Sequence, residues 1–500
     1  MILKPQIQDF KIVGYYLGKI ITGLGVTMII PLFMGIVSLE IGPSLDFLIA
    51  ISITFSVGFI LTTSFHTDRD PGWMHGMSVA ALAWIVVMLL VAIPLYLSGH
   101  WKSYLDTCFD SMSGLTTSGF TLVQDLDHIS FAHNLWRHLI MFIGGQGIII
   151  VALSFLVRGA AGAFWMYVGE ARDEKILPNV ISTSRFIWLV SITYLILGTL
   201  SLAGVAFYEG IPAKKAVFHG VCVFMAAFDT GGFAVQSQSI LYYHSFPFEI
   251  LTIVIMFLGS MNFKLHYAVW TGDKKEIWRN IETVTLFVTI TLTFLITAAG
   301  LQQTATYPTA ISFFRKGFYQ LISAHTTTGY MTIYTRQLIN EWGPLALAGI
   351  TIAMTIGGSI CSTTGGIKAL RIGIVFKGLL QDIRRTVSPE SAIVTQKFHH
   401  IREIFLEDKQ VRAAAIILLA YLVLYVFGAV VGMCFGYPFM ESLFESTSAA
   451  ANVGLSCGIT NASMPAVLKI TYMFQMWIGR LEFMSVFALI AFFIAAIKGK

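Results

Sequence analysis

Apolar blocks recur along the chain near residues 12–38, 44–64, 74–97, 134–157, 183–208, 246–269, 281–300, 342–377, 413–435 and 466–497. Each is about 20 residues or longer, enough for a helix to cross ~30 Å of hydrocarbon. After the third, fifth, seventh and ninth blocks comes a half-apolar stretch too short to span, such as WKSYLDTCFDSMSG (Trp101–Gly114) or PFMESLFESTSAAA (Pro438–Ala451). Each of these leads into a polar, glycine-bearing run: SGLTTSGFTL (Ser113–Leu122), AAFDTGGFAV (Ala226–Val235), SAHTTTGYMT (Ser323–Thr332) and AAANVGLSCG (Ala449–Gly458). A half-helix at membrane depth is tolerated only where protein encloses it or it lines water. The repeating unit is therefore helix, half-helix, polar loop, helix. The pattern predicts an all-α polytopic membrane protein with four such modules in pseudo-fourfold arrangement: a leading helix pair at 1–72, then modules at 73–180, 181–278, 279–410 and 411–500.

Composition agrees: 56% of residues are hydrophobic and 12% charged, against about 25% charged in soluble domains, and mean hydropathy is +0.75. Basic residues precede the first apolar block, but no small-residue cleavage site closes it and a second block follows at once, so a retained span is expected in place of a signal peptide. The five cysteines (Cys108, Cys222, Cys361, Cys434, Cys457) show no CxxC or Cys/His spacing, which predicts neither a disulfide framework nor a structural metal site, and no cofactor is expected. The net charge of +5 is spread over loops and not gathered in one domain, so nucleic acid is not an expected partner; membrane lipid is. Most of the 32 Lys and Arg residues fall on the N-terminal side of the predicted topology, which puts the N-terminus inside and opens the polar runs outward.

Aligned on Gly119, Gly232, Gly329 and Gly454, the runs read Thr116-Thr117-Ser118-Gly119, Asp229-Thr230-Gly231-Gly232, Thr326-Thr327-Thr328-Gly329 and Ala451-Asn452-Val453-Gly454, each followed by an aromatic residue or Leu. This is similar to the Thr-Val-Gly-Tyr core of potassium-channel filters. Glycine permits conformations that turn carbonyls inward, and a ring of carbonyls can replace a cation's hydration shell. Thr117, Thr230 and Thr327 would add hydroxyls at the inner end, with the Asn452 amide oxygen as the fourth member.

With these runs, the loop GGSICSTTGGIKALR (Gly357–Arg371) and the GRLEF motif (Gly479–Phe483), the chain resembles the Trk/Ktr/HKT superfamily of cation transporters over nearly its whole length. The two leading spans are those of the Trk branch. The resemblance implies potassium transport in the bacterial cytoplasmic membrane by a homodimer docked on a cytosolic nucleotide-binding regulatory ring. In the family, serine in place of the first filter glycine favours sodium; Gly119 therefore favours potassium. Ala451 and Asn452 depart from the hydroxyl pattern, as does Asp229, so the ring is only approximately fourfold.

Adjacent glycine pairs at Gly357, Gly358 and Gly365, Gly366, with Ser359, Thr363 and Thr364 between them, predict a broken helix, since glycine costs a helix roughly 0.5–1 kcal/mol relative to alanine. This loop and Arg480, an arginine about 15 residues into the last span, are expected to form an inner gate; close packing of small residues and a salt bridge to a neighbouring helix are the structural alternatives. Asp106, Asp110, Glu441 and Glu445 are candidates for concentrating cations at the outer mouth, or else simply polar residues of the half-helices. His325 is expected to pack or hydrogen-bond. The inward loop from about Asp382 to Arg412 is the largest expected surface for a regulatory partner. Transport coupled to sodium or protons on the same fold stays open. A membrane enzyme is disfavoured, because no GxSxG, HExxH or paired-Asp motif occurs.

Overall fold

The computed structural model describes residues 5–148, 160–170, 179–389, 391–392 and 394–498. Lys4, the expected span residues 149–157 and Lys500 lie outside the described residues. The leading pair is Ile7–Thr27 with Ile29–Val37, and Ile41–Ser64 packed along them. Its apolar outer residues, such as Phe33 and Phe59, are exposed, as a lipid-facing surface requires.

Four long helices open the modules: Trp73–Leu97, Val180–Tyr208, Ile281–Gln303 and Asp408–Cys434. The re-entrant short helices are Tyr104–Leu115, Ala213–Phe228, the run formed by Ala310–Ser312, Phe313–Phe318 and Tyr319–His325, and Phe439–Ala450. Tyr104–Leu115, Tyr319–His325 and Phe439–Ala450 are mostly buried, whereas Val180–Tyr208, Ile281–Gln303 and Asp408–Cys434 are mostly not, as half-helices enclosed by protein and lipid-facing helices require.

The second helices of the first, second and fourth modules differ from the expectation. Only the third was expected to break; in fact Phe246–Ser260 bends by 100° into Phe263–Trp270, and Ala466–Arg480 by 109° into Met484–Lys498. The first ends at Gln146, with Gly147 at φ +99°. Close approach to the short helix is the common cause. A Cβ on Gly144, Gly259 or Gly479 would lie 1.8, 1.8 and 2.0 Å from the carbonyl oxygens of Leu115, Phe228 and Ala450, the last or next-to-loop carbonyl of the module's own short helix. Beyond that contact the chain turns. Asn262 caps the new helix by accepting from Lys264 N–H at 2.8 Å, and Glu482 and Phe483 take φ of +50° and +72°. In the third module, residues 356–368 form an irregular loop between Gly343–Thr355 and Ala369–Val387.

The expected surface loop is also more ordered than foreseen. Helix Ala369–Val387 runs past the predicted span end, and a two-stranded antiparallel hairpin follows, Lys397–His400 paired with Arg402–Phe405. Phe398 and Leu406 bury against Ile281, Ile374 and Ala414, which anchors the hairpin to the helices.

Candidate functional site

The four polar loops repeat one backbone conformation. Thr117, Thr230, Thr327 and Asn452 have φ of 55°, 50°, 55° and 55°, and Gly119, Gly232, Gly329 and Gly454 have φ of 83°, 69°, 82° and 85°. The glycines are obligatory for a second reason. A Cβ on Gly119 would meet Gly231 O at 2.3 Å, on Gly232 Thr328 O at 2.0 Å, on Gly329 Val453 O at 1.9 Å, and on Gly454 Ser118 O at 2.0 Å. Each loop thus abuts the next, and the fourth abuts the first: the ring is closed.

The eight residues Thr117, Ser118, Thr230, Gly231, Thr327, Thr328, Asn452 and Val453 are buried. Among the described residues no donor reaches their carbonyl oxygens. Buried carbonyls are ordinarily paired, so this concentration of free lone pairs is a property of the ring and not of ordinary turns. Asn452 Nδ2 donates to Ser118 Oγ at 2.9 Å and to Met476 O at 3.0 Å, while among the described residues nothing donates to its Oδ1.

The positions three before each glycine behave differently. The Thr116 hydroxyl donates to Met112 O at 2.7 Å and the Thr326 hydroxyl to Ile322 O at 2.8 Å, back onto their own short helices. Asp229 accepts from Gln146 Nε2 at 2.8 Å, behind the ring. Ala451 has no polar side-chain group. The Thr116, Thr326 and Asp229 side chains hold their loops; the ring's open lone pairs come from elsewhere.

Under the ring lies the glycine-rich loop. Thr363 Oγ1 stands 2.9 Å from the carbonyls of Phe228 and Gly259 and 3.4 Å from Thr230 Oγ1, and Gly365 N–H donates to Thr327 Oγ1 at 3.0 Å. A Cβ on Gly365 would lie 2.2 Å from Ala451 O. Arg480 completes the layer, donating to Thr363 O at 2.6 Å, Gly144 O at 2.9 Å, Gly145 O at 3.0 Å and Thr117 Oγ1 at 3.3 Å. It is the last residue of its half-helix, not a mid-span residue as the sequence pattern suggested. Its charge serves the C-terminal carbonyls of Phe131–Gln146, where a cation is electrostatically favoured.

The loop is held at its base as well. Gly357 N–H donates to Ile367 O at 2.9 Å, Gly358 N–H to Thr364 Oγ1 at 3.0 Å, and Ser359 N–H to Ser260 O at 2.9 Å. Lys368 donates to Thr364 O, Arg371 donates to Glu482, and Lys368 lies 3.9 Å from Glu482. Gly366 takes φ +65°.

All four ring glycines line a funnel on the opposite side, where Arg137 and Arg336 are the only ionisable side chains among the described lining residues. The acidic candidates are therefore not mouth charges. Asp110 accepts from Leu122 N–H at 2.6 Å and Thr121 Oγ1 at 2.7 Å. At the equivalent position, Glu445 accepts from Cys457, Ile459 and Thr460 N–H at 3.0, 3.1 and 3.3 Å. Gln320, in the same register, donates to Tyr330 O at 3.2 Å. These side chains pin the chain leaving the ring. Asp106 is buried against Lys469, and Glu441 lines a separate apolar cleft between the third and fourth modules. His325 hydrogen-bonds Thr289 Oγ1 at 2.9 Å, as expected.

Sequence reasoning missed Gly144, Gly259 and Gly479 as contact points.

The architecture is that of a polytopic membrane protein built round a closed pseudo-fourfold ring of re-entrant loops. Residues 43–496 match the TrkH family model, described as a cation transport protein, and the chain belongs to that family. It is similar to an uncharacterized cation transporter of Methanocaldococcus jannaschii, at 30% identity over 97% of this chain and 96% of that protein. It is also similar to the Trk system potassium uptake protein TrkH of Halomonas elongata, at 26% identity over 95% and 96%. The fold matches the crystal structure of the potassium transporter TrkH from Vibrio parahaemolyticus with a TM-score of 0.79 over 96% of this chain and 98% of that one, at 22% identity.

Proposed function

We propose that the chain carries potassium into the cell across the cytoplasmic membrane, through the loop ring as a selectivity filter and past the Gly357–Gly366 loop and Arg480 as a gate. The observation that carries this reading is the set of buried ring carbonyls to which, among the described residues, nothing donates. An unpaired buried carbonyl costs free energy, and a dehydrated monovalent cation coordinated by several of them offsets that cost. Asn452 Oδ1 and the Thr117, Thr230 and Thr327 hydroxyls sit at the inner end of the same ring. The names of the relatives support potassium as the cargo.

In this reading the conformation is a shut one, because the loop and Arg480 touch the inner end of every module's filter segment. The funnel faces outward and the hairpin and N-terminus face the cytoplasm, where a homodimer would present the hairpin surface to a nucleotide-binding regulatory ring. The test is cation flux into liposomes holding the purified protein, with potassium or sodium, and with or without a proton gradient. Passive, saturable potassium flux exceeding sodium flux is expected. Equal fluxes would remove the filter assignment, and an absolute need for a second ion's gradient would make the protein a symporter.

A further inference from the structure

Glu282, in the first turn of Ile281–Gln303, is 1% exposed and was not singled out by any sequence pattern. One carboxylate oxygen accepts the N–H of Ile360, inside the glycine-rich loop, at 2.6 Å; the other accepts from Asn262 Nδ2 at 3.2 Å, at the bend of the second module. From Glu282 a polar chain leads away from the loop. Asn280 Oδ1 accepts both Glu282 N–H at 3.0 Å and His400 Nδ1–H at 3.2 Å, and Asn280 Nδ2 donates to Glu276 Oε1 at 2.9 Å. Glu276 in turn receives the Ile401 N–H at 2.9 Å and His399 Nε2 at 2.8 Å. His399, His400 and Ile401 form the end and turn of the hairpin.

Two features make this more than packing. The contact to Ile360 is a charge-assisted hydrogen bond in a dry setting, the strong kind, and it is the loop's tie to the third module's own first helix. The hairpin's strands are held by the small cluster around Phe398 and Leu406 and by Lys377, which donates to Lys397 O at 3.1 Å, whereas its turn is positioned by Glu276 and Asn280.

We propose that Glu282 is a positioning residue of the gate loop, holding Ile360 in the shut conformation and linking it through Asn280 to His400 on the hairpin, so that displacing the hairpin loosens the loop. This rests on the gate reading given above. A partner that pulls on the hairpin would then act on the loop without touching the ring.

Cys361, next to Ile360 and 4% exposed, is a native reporter of loop opening once exposed Cys434 is replaced by serine. In full-length protein in liposomes, Glu282→Gln keeps the shape and removes the charge. It should speed maleimide labelling of Cys361 about tenfold and raise potassium flux by a similar factor, with the potassium-to-sodium ratio unchanged. His400→Ala should speed labelling too, and the double variant should not exceed Glu282→Gln alone. Unchanged labelling in Glu282→Gln overturns the positioning role, and additive effects overturn the link to the hairpin. If Glu282→Gln does not fold, His400→Ala decides: unchanged labelling there overturns the proposal. Deletion within Ser359–Thr364 separates the two levels. If the deletion raises flux while Glu282→Gln does nothing, the gate reading stands and only this inference falls; if the deletion leaves flux unchanged, the gate reading itself falls.

Discussion

The Arg480 guanidinium donates a 2.6 Å hydrogen bond to the carbonyl of Thr363, joining the last module to the loop that lies under the ring. The same side chain holds Gly144 and Gly145 of the first module, so one residue ties together three separate parts of the chain. If the gate proposed above holds, a fixed positive charge there would oppose a cation leaving the ring by about 332/(εr), near 3 kcal/mol at ~6 Å and an effective ε of ~20. Arg480→Ala should therefore raise potassium flux, by up to about a hundredfold, while the potassium-to-sodium ratio stays close to that of the parent. Flux assays in liposomes check this; lost selectivity with unaltered flux would make Arg480 a support of the ring and not part of a gate.

Gly119→Ser meets two obstacles, a φ of 83° and the Gly231 carbonyl 2.3 Å from the new Cβ. One quarter of the ring must shift to admit it. The potassium-to-sodium flux ratio should fall about tenfold, equivalent to ~1.4 kcal/mol. A ratio identical to the parent's would count against a coordinating role for the ring.

Glu445 contributes to stability, not to the surface potential. Its carboxylate accepts three backbone N–H groups and the hydroxyls of Ser456 and Thr460. Glu445→Ala leaves those donors unpaired and should cost about 3 kcal/mol or more, read as a lowered melting temperature in detergent. The dependence of flux on ionic strength should not change. A variant of parental stability whose flux lost its salt dependence would restore the mouth-charge role.

The hairpin should respond to pH. His399 lies 2.8 Å from Glu276 and 3.0 Å from Glu403. Its hydrogen bond to Glu276 is the main reason its pKa lies above the usual 6.5, with burial opposing and Glu403 adding to the rise. Burial pushes the Glu276 carboxyl up, but hydrogen bonds from His399, Asn280 and Ile401 N–H outweigh it, and the net shift is downward. A raised histidine pKa contributes stability that is complete below the unfolded value and is lost as pH climbs through the folded one. A depressed glutamate pKa contributes stability that is present above its unfolded value and is lost as pH falls through the folded one. The hairpin should be held most firmly between these two titrations. Amide exchange across Lys397–Phe405, corrected for intrinsic rates, should show protection falling as pH rises past neutrality, and His399→Ala should abolish that fall. Protection that is flat with pH in the parent would rule the pair out as a clamp.

The repeated apolar blocks were enough to read the membrane class, and the four glycine-centred runs to read where the chain takes positive φ, because burial in lipid and positive-φ glycine each impose a local demand on composition. The interrupted third-module helix was legible for the same reason. The bends after Gly259 and Gly479 were not: nothing local breaks those helices, and the bends arise because a neighbouring short helix presses its last carbonyl against a glycine. The two readings of the acids stayed open in the sequence for a related reason. Asp110 and Glu445 look alike whether they face water or cap a returning loop, and only the fold brings Leu122 and Cys457 N–H groups onto them. The hairpin and the Glu282 link to Ile360 belong to the same class: the partners lie 78 residues apart in sequence, and the contact exists only once the third module closes on itself. Local chemistry is written along the chain, whereas which buried polar groups meet is decided by packing.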